Sequence, residues 1–271
     1  MSEAKVALVT GSSSGIGEAL VKLLAKKGYK VAICGSKKEK VDRVAKEVAE
    51  LSPNNFQPLS LVLDFTDPDN GEVAVKKTIE HFGRLDALVN NAGLFVRSDT
   101  RTPNCYEGYR EVMTVNTDAT VKATLAAIDE LKKSKGNIVF VSSVASVKPS
   151  QLGFSYCMSK AAMSMFAKCL AIDLAPDVRV NICSPGPIAT PIFNRIGLSE
   201  EMARKVMSTS TLFDRLGEVD EVANSIYFLM SDEAKFVHGH ELFIDGGYLL
   251  KPSDYSASSQ IIAHKSMQQQ N

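Results

Sequence analysis

Short apolar runs alternate along the chain with longer stretches in which apolar residues return every three or four positions. Lys5-Val6-Ala7-Leu8-Val9-Thr10 is nearly continuous in apolar residues, the pattern of a strand covered on both faces. Leu20, Leu23 and Leu24 then fall on one face of a helix that Gly28 ends, and Val31-Ala32-Ile33-Cys34 reads as the next strand. The rhythm continues. Leu59 to Leu63 is a third strand, after which Thr66-Asp67-Pro68 opens a helix through Val73, Val75, Ile79 and Phe82 that stops at Gly83. Leu85-Asp86-Ala87-Leu88-Val89 is the fourth strand. Residues 94–110 read as a loop around Pro103, and an amphipathic stretch from Tyr106 to Lys133 carries Asn116 in its interior. An asparagine there competes with the backbone for hydrogen bonds, so it marks a kink, a buried polar role or a plain surface position. Asn137-Ile138-Val139-Phe140-Val141, a helix ending near Pro176, Val178 to Cys183, a helix from Val219 to Met230 and a strand from Glu241 complete the series.

Strands alternating with helices predict an α/β chain. Its sheet is parallel and doubly wound, with about seven strands, helices on both faces and ligands at the strands' C-terminal ends. No repeat or linker divides residues 1–251, which are expected to form one domain. Residues 187–210 carry Ile188, Pro191, Ile192, Phe193, Met202 and Met207 without a strand pattern. A connection of that length in a compact domain is expected to act as a lid. Residues 252–271 are rich in Ser and Gln and are expected to be a mobile tail.

Composition narrows the function classes. Lys+Arg and Asp+Glu are both 31, so no basic surplus points to nucleic acid or an anionic membrane. The five cysteines are odd in number and lack Cys-x-x-Cys spacing, which favours free thiols in a reducing compartment over disulfides or zinc. No stretch reaches membrane-spanning length, Met1 leads into the first strand without a signal-like region, and Gln269-Gln270-Asn271 is no targeting tail. A cytoplasmic protein is expected. His238-Gly239-His240-Glu241 lacks the His-x-x-x-His helix spacing of a metal pair and reads as a turn; no metal site is expected.

Candidate chemistry gathers at the strand ends. Gly11-Ser12-Ser13-Ser14-Gly15-Ile16-Gly17 follows the first strand and opens a helix. Glycines there permit a tight turn and let backbone approach a pyrophosphate, while the helix N-terminus offers free N–H groups to its charge. No Gly-Lys-Ser/Thr follows, which excludes a P-loop. The second strand ends in Gly35-Ser36-Lys37-Lys38, with no carboxylate for an adenosine ribose and two ammonium groups for a 2′-phosphate. This favours NADP over NAD, although Lys37 and Lys38 also fit a solvated helix start. Tyr156 and Lys160, four apart on a helix, face the same way. A lysine ammonium beside a phenol lowers the phenol's pKa from about 10 toward the working range. Short pairs of this kind also recur by chance, so the pair gains weight only from its company. Cys157 points away from Tyr156 and reads as a small packing residue.

That company resembles a family. Thr10-Gly-Ser-Ser-Ser-Gly-Ile-Gly17, Asn90-Asn-Ala-Gly93, Asn116, Ser143, Tyr156-x-x-x-Lys160 and Pro185-Gly186 occur in order. Over roughly residues 4–248 the chain looks like a short-chain dehydrogenase/reductase, which implies a Rossmann fold and hydride transfer between NADP(H), or alternatively NAD(H), and a carbonyl or secondary alcohol. The resemblance implies Tyr156 as general acid/base, Lys160 as the group that lowers its pKa and holds the nicotinamide ribose, and Ser143 as a donor to the substrate oxygen. It implies that Asn116 holds a water of a proton relay through a helix kink. Gly11, Ser13, Ser14, Gly15, Ile16 and Gly17 would form the pyrophosphate turn. Ser36 and Lys37 would lie at the adenosine ribose and Asp64 at the adenine. Asn91, Ala92 and Gly93 would shape the cleft, with Pro185, Ile188 and Thr190 at the carboxamide side. A homodimer or homotetramer packed through the helices at 156–175 and 117–133 is implied as well. NADP users of the family commonly place a basic residue where this chain has Ser14 or Ser36, so the preference rests on Lys37 and the missing acid. Leu94-Phe95-Val96, Phe154 and residues 188–207 form an apolar candidate wall, pointing to an apolar substrate if they are not simply core. A non-catalytic dinucleotide sensor or a methyltransferase on a similar sheet are the alternatives; the Tyr156/Lys160 pair has no use in the latter.

Overall fold

The fold follows from strands that must be apolar on both sides. A computed structural model describes residues 4–150, 153–197 and 199–252; most of the expected tail, from 253 onward, lies outside them. Seven parallel strands form one sheet: β1 (Val6–Val9), β2 (Lys30–Gly35), β3 (Leu59–Val62), β4 (Ala87–Asn90), β5 (Asn137–Val141), β6 (Arg179–Pro185) and β7 (Glu241–Ile244). Their order is β3-β2-β1-β4-β5-β6-β7. Successive residues of a strand point to opposite faces, and the two faces have separate cores. Leu8, Cys34, Leu88, Ile138, Phe140 and Ile182 pack under α3 (Asp69–Phe82), α5 (Ala119–Ser134) and α6 (Phe154–Leu174). Val9, Ile33, Val89, Val139 and Cys183 pack under α1 (Gly15–Lys26), α2 (Lys38–Leu51) and α8 (Val219–Met230). At about 1.5–3 kcal/mol for each fully buried large side chain, this two-sided burial sets the register firmly. Polar residues are therefore pushed to the strand ends.

Strand order reverses between β1 and β4, the switch point at which open α/β sheets hold ligands. Two segments differ from the sequence expectation. The stretch 106–133 is two helices, α4 (Cys105–Met113) and α5, joined by a π-helical turn over Thr114–Asp118 that contains Asn116. The connection 187–210 is largely helical, with a 3-10 turn at Pro191–Ile196 and α7 (Glu200–Met207). Ser199 caps α7, Arg204 pairs with Glu218 at 2.8 Å, and Ala203 buries against Ala189 and Leu216. At eight residues α7 is too short for Ala203 and Met207 to show a helical period clearly. Among the described residues no helix is long and apolar enough to cross a membrane.

Candidate active site

The glycine turn is held from below. Ser12, fully buried, donates to Val9 O at 2.7 Å and accepts from Cys34 N at 3.0 Å, tying the turn to β2. Thr10 Oγ1 accepts from the N–H groups of Asn91 and Ala92, both at 3.0 Å. The Asn91 amide in turn donates to Thr10 O at 2.8 Å and Gly11 O at 3.1 Å. Asn91 and Ala92 thus brace the turn across the crevice. Gly11 takes a left-handed φ of 63°. A Cβ on Gly17 would lie 2.5 Å from Asn91 Nδ2 and 2.7 Å from Gly11 O, closer than any side chain can approach. Ser14 precedes α1 in extended conformation and makes no capping bond, so the first N–H groups of that helix are left for an anion. Ser13 packs against Gly35, and Ile16 is partly buried against the α1 side of the core.

From the other side, the segment after β6 approaches the same turn. Ile188 is buried and Ala189 N donates to Gly217 O at 2.9 Å. Thr190 Cγ2 would lie 3.6 Å from a Cβ on Gly15. Pro185 closes β6, and Gly186 follows tight against Asp245. Ser36 and Lys37 are exposed at the end of β2; Lys38 is drawn to Asp42 at 2.6 Å, while Lys37 has no ion-pair partner among the described residues. Asp64 is exposed beyond β3, its Oδ1 accepting from Thr66 N at 3.0 Å. These three residues stand one and two strands out from β1, apart from the Tyr156 cluster.

At the end of β5, Ser143 opens a short 3-10 turn, Val144–Ser146, and its Oγ accepts from Ala145 N at 3.1 Å. The Tyr156 hydroxyl faces Ser143, whose influence acts to lower the phenol's pKa. Lys160, on the same face of α6, is only 3% exposed; its Nζ donates to Val141 O at 2.7 Å and lies 5.6 Å from the centre of the Tyr156 ring. Asn116 is fully buried in the π-helical turn. Its Oδ1 accepts from Leu94 N at 2.8 Å, and its amide donates to Leu94 O at 3.1 Å and Ser159 Oγ at 3.0 Å. Asn116 thus lies in a π-helical interruption between α4 and α5 and locks the chain after β4 to the helix that carries Tyr156. A Cβ on Gly93 would sit 3.4 Å from Asn116 Oδ1 and 3.5 Å from Lys160 Nζ. The bare backbone at Gly93 keeps open a space that these two groups face.

One electrostatic expectation is corrected. Burial pushes the Tyr156 phenol up to about 12, and Ser143 only partly offsets it. Lys160 is itself drawn down to about 8 by burial. The ammonium does not bring the phenol into the neutral range, because burial dominates both groups. Near pH 7 the phenol is protonated and the amine is charged.

Sequence reasoning missed Thr10 as the brace of the turn, and it missed the carboxylate of Glu241. Phe95, read only as pocket wall, is edge-to-face with Tyr156 at 5.3 Å, and a Cβ on Gly153 would meet its ring at 2.5 Å. His238 is committed to main chain, Nδ1 accepting from Val180 N at 3.2 Å and Nε2 lying 2.7 Å from Ala171 O.

Turn, helix N-terminus and proton-bearing side chains gather at the C-terminal ends of β1, β4 and β5, around the β1–β4 switch point, which is the layout of an α/β dinucleotide-binding enzyme. The bare backbone at Gly11, Gly17 and Gly93 and the open α1 N-terminus fit a nicotinamide dinucleotide. Residues 11–249 match the family model described as Enoyl-(Acyl carrier protein) reductase. The chain is 37% identical over 247 residues to cyclopentanol dehydrogenase of Comamonas sp. (strain NCIMB 9872), covering 90% of this chain and 96% of that one. Among solved structures, it resembles a short-chain dehydrogenase/reductase of unknown function from Caenorhabditis elegans with cofactor (TM-score 0.84, 30% identity, 92% and 96% coverage). L-sorbose reductase of Gluconobacter frateurii, complexed with NADPH and L-sorbose, has a TM-score of 0.83 at 27% identity, covering 91% and 97%. The chain belongs to the short-chain dehydrogenase/reductase family, and is an oxidoreductase acting on CH–OH groups with NAD(P).

Proposed function

We propose that the protein is an NADP(H)-dependent carbonyl reductase or secondary-alcohol dehydrogenase in which Tyr156 moves the proton. The convergence of the Tyr156 hydroxyl, Ser143 and the Lys160 ammonium beside bare backbone at Gly93 carries this reading. A bound nicotinamide cofactor supplies or accepts the hydride. The chain's own residues handle the oxygen and the proton. Ser143 Oγ accepts from Ala145 N, so its own proton points toward the Tyr156 hydroxyl, where a substrate oxygen bound between the two would receive it. Tyr156 supplies the second donor and, in reduction, the proton that neutralises the developing alkoxide. Lys160 holds a positive charge behind that oxygen, and Asn116 fixes the spacing between Gly93 and α6.

Carbonyl reduction then has a defined pH dependence. Phenol and ammonium are both in the required form below the Lys160 value of about 8. Above it the rate is expected to fall about tenfold per pH unit as the ammonium is lost. A kcat/KM profile for reduction that rises through that range contradicts the assignment.

The NADP preference is supported by the exposed Ser36-Lys37 pair at the end of β2 and by the L-sorbose reductase neighbour, solved with NADPH. Titration of intrinsic or nicotinamide fluorescence is expected to show NADPH binding about tenfold tighter than NADH, one charge-assisted contact's worth. Lys37→Ala removes that difference without changing NADH affinity. Equal or tighter NADH binding by the parent protein overturns the preference.

Buried Leu94 and Phe95 beside Tyr156, together with the cyclopentanol dehydrogenase relative, support an apolar ketone or alcohol as substrate. Residues 187–210, with α7, are proposed as a lid over it. Met158, Met165 and Ile172 on the outer face of α6 and Leu125 on α5 are exposed apolar residues, with Ile172 at 81%, and support a homodimer or homotetramer through these helices.

A further inference from the structure

Glu241 opens β7 and stands out as a carboxylate in an otherwise apolar strand, with its side chain only 7% exposed. Four side chains converge on it. Oε1 accepts from Ser146 Oγ at 3.0 Å, Ser164 Oγ at 3.0 Å and Ser184 Oγ at 2.8 Å, and Oε2 accepts from Lys168 Nζ at 2.9 Å. Burial, the largest single influence, would raise its pKa; the bonds from Lys168, Ser184 and Ser146 outweigh it and hold the group below the usual carboxylate value.

We propose that Glu241 is a positioning residue of the active site, an acceptor that sets the seat of α6 and of the Ser143 turn against the ends of β5 and β6. The proposal rests on the reading of Tyr156, Ser143 and Lys160 given above. Its basis is where the four donors sit. Ser146 closes the 3-10 turn that Ser143 opens, and its one proton is shared between Glu241 and Ser143 O, the latter at 2.7 Å. Ser164 is one helical turn beyond Lys160 on α6. Ser184 belongs to β6 and Lys168 to α6. An ionised carboxylate only accepts, so the Ser164 proton is directed to Glu241. The Ser164 oxygen is then left to receive the proton of Ser142, whose Oγ lies 2.8 Å away and shares that proton with Lys160 O at 3.1 Å. Ser142 lies between Val141, whose carbonyl holds Lys160 Nζ, and Ser143, which meets Tyr156. One carboxylate thus orients a chain of hydroxyls that ends at the backbone carrying both partners of the proton-transfer pair. A neutral side chain that cannot accept leaves buried hydroxyls competing for the same acceptors, and the seat of α6 loosens.

Glu241→Ala is expected to lower kcat about tenfold or more while the Kd for NADPH stays within about twofold. Glu241→Gln keeps an oxygen acceptor for the serines and loses the charge and the bond to Lys168, a half-exposed ammonium that water can satisfy; it is expected to restore kcat to within about threefold of the parent with an unshifted pH profile. Ser164→Ala cuts the link to Ser142 and leaves Glu241 its other donors. It is expected to lower kcat in the same sense as Glu241→Ala, so the proposal stays testable if Glu241→Ala does not fold. Hydrogen–deuterium exchange of the peptides at 142–147 and 154–165 needs no substrate. It should accelerate in Glu241→Ala and in Ser164→Ala but not in Glu241→Gln. Full activity and unchanged exchange in Ser164→Ala or Glu241→Ala overturns the proposal, as does an equal loss of cofactor affinity and kcat in both Glu241 variants. If instead the parent and a Tyr156→Phe control turn over alike while exchange responds as described, the catalytic reading fails and the positioning role stands.

Discussion

Tyr156→Phe is expected to lower kcat by about a thousandfold, within the range for losing a positioned general acid, and to leave NADPH affinity nearly unchanged. The change removes one hydroxyl and keeps the ring, so the edge-to-face contact with Phe95 at 5.3 Å survives. Ser143 loses its phenol partner but keeps the bond from Ala145 N. Lys160 keeps its bond to Val141 O, so the wall that faces the cofactor is undisturbed. What disappears is the phenolic proton beside Ser143 and Lys160. Because burial holds that phenol at about 12, it is fully protonated at neutral pH and works as a donor without a preceding ionisation. Stopped-flow binding of NADPH together with steady-state kcat checks both halves of the expectation. Residual turnover within tenfold of the parent removes Tyr156 from its role.

The second large effect lies at Gly17. A single methyl group in Gly17→Ala would stand 2.5 Å from Asn91 Nδ2, 2.7 Å from Gly11 O and 2.8 Å from Ser12 Cα. Two of these three atoms are main chain, and the third belongs to the side chain that braces the turn. The clash can be relieved only by moving the turn that is to receive the pyrophosphate. Disrupting two charge-assisted contacts there, at about 1.5–3 kcal/mol each, corresponds to a loss in NADPH affinity of about a hundredfold or more. Overpacking adds about 1–3 kcal/mol of destabilisation, so a lowered midpoint of thermal unfolding is expected with the fold retained by circular dichroism. Parent-like NADPH affinity in Gly17→Ala contradicts the placement of the pyrophosphate.

Much of the architecture was legible because two-sided burial leaves a strong trace. Val6 to Val9, Val31 to Cys34 and Ile138 to Val141 could be read as strands since each residue faces one of two cores. The candidate site was legible for a related reason: a parallel sheet concentrates polar residues at its C-terminal edge, where Gly11 to Gly17, Asn91 to Gly93 and Ser143 stand out from apolar runs. The family resemblance over these residues agrees with the match across residues 11–249. Three features were not legible, the first two because they depend on enclosure and on groups distant in sequence. The direction of the Tyr156 pKa is set by enclosure, which no i, i+4 pair reveals. Glu241 meets Ser146, Ser164 and Ser184 across 95, 77 and 57 positions, so neither spacing nor periodicity marks the cluster. Its only sequence signal was a charge at the start of an apolar strand. The helix at 200–207 escaped notice because it is only eight residues long, so its apolar side, Ala203 with Met207 one turn on, gives few repeats of a helical period.

The central claim is that hydride passes directly to a carbonyl carbon at a site where Tyr156 supplies the proton. The most direct measurement incubates the parent protein and Tyr156→Phe with NADPH deuterated at the transferable position and a panel of apolar ketones, and analyses the alcohols by mass spectrometry. The account predicts an alcohol from at least one ketone carrying a single deuterium on its carbinol carbon, formed by the parent and nearly absent with Tyr156→Phe. Unlabelled alcohol, or equal labelled product from both proteins, would contradict it.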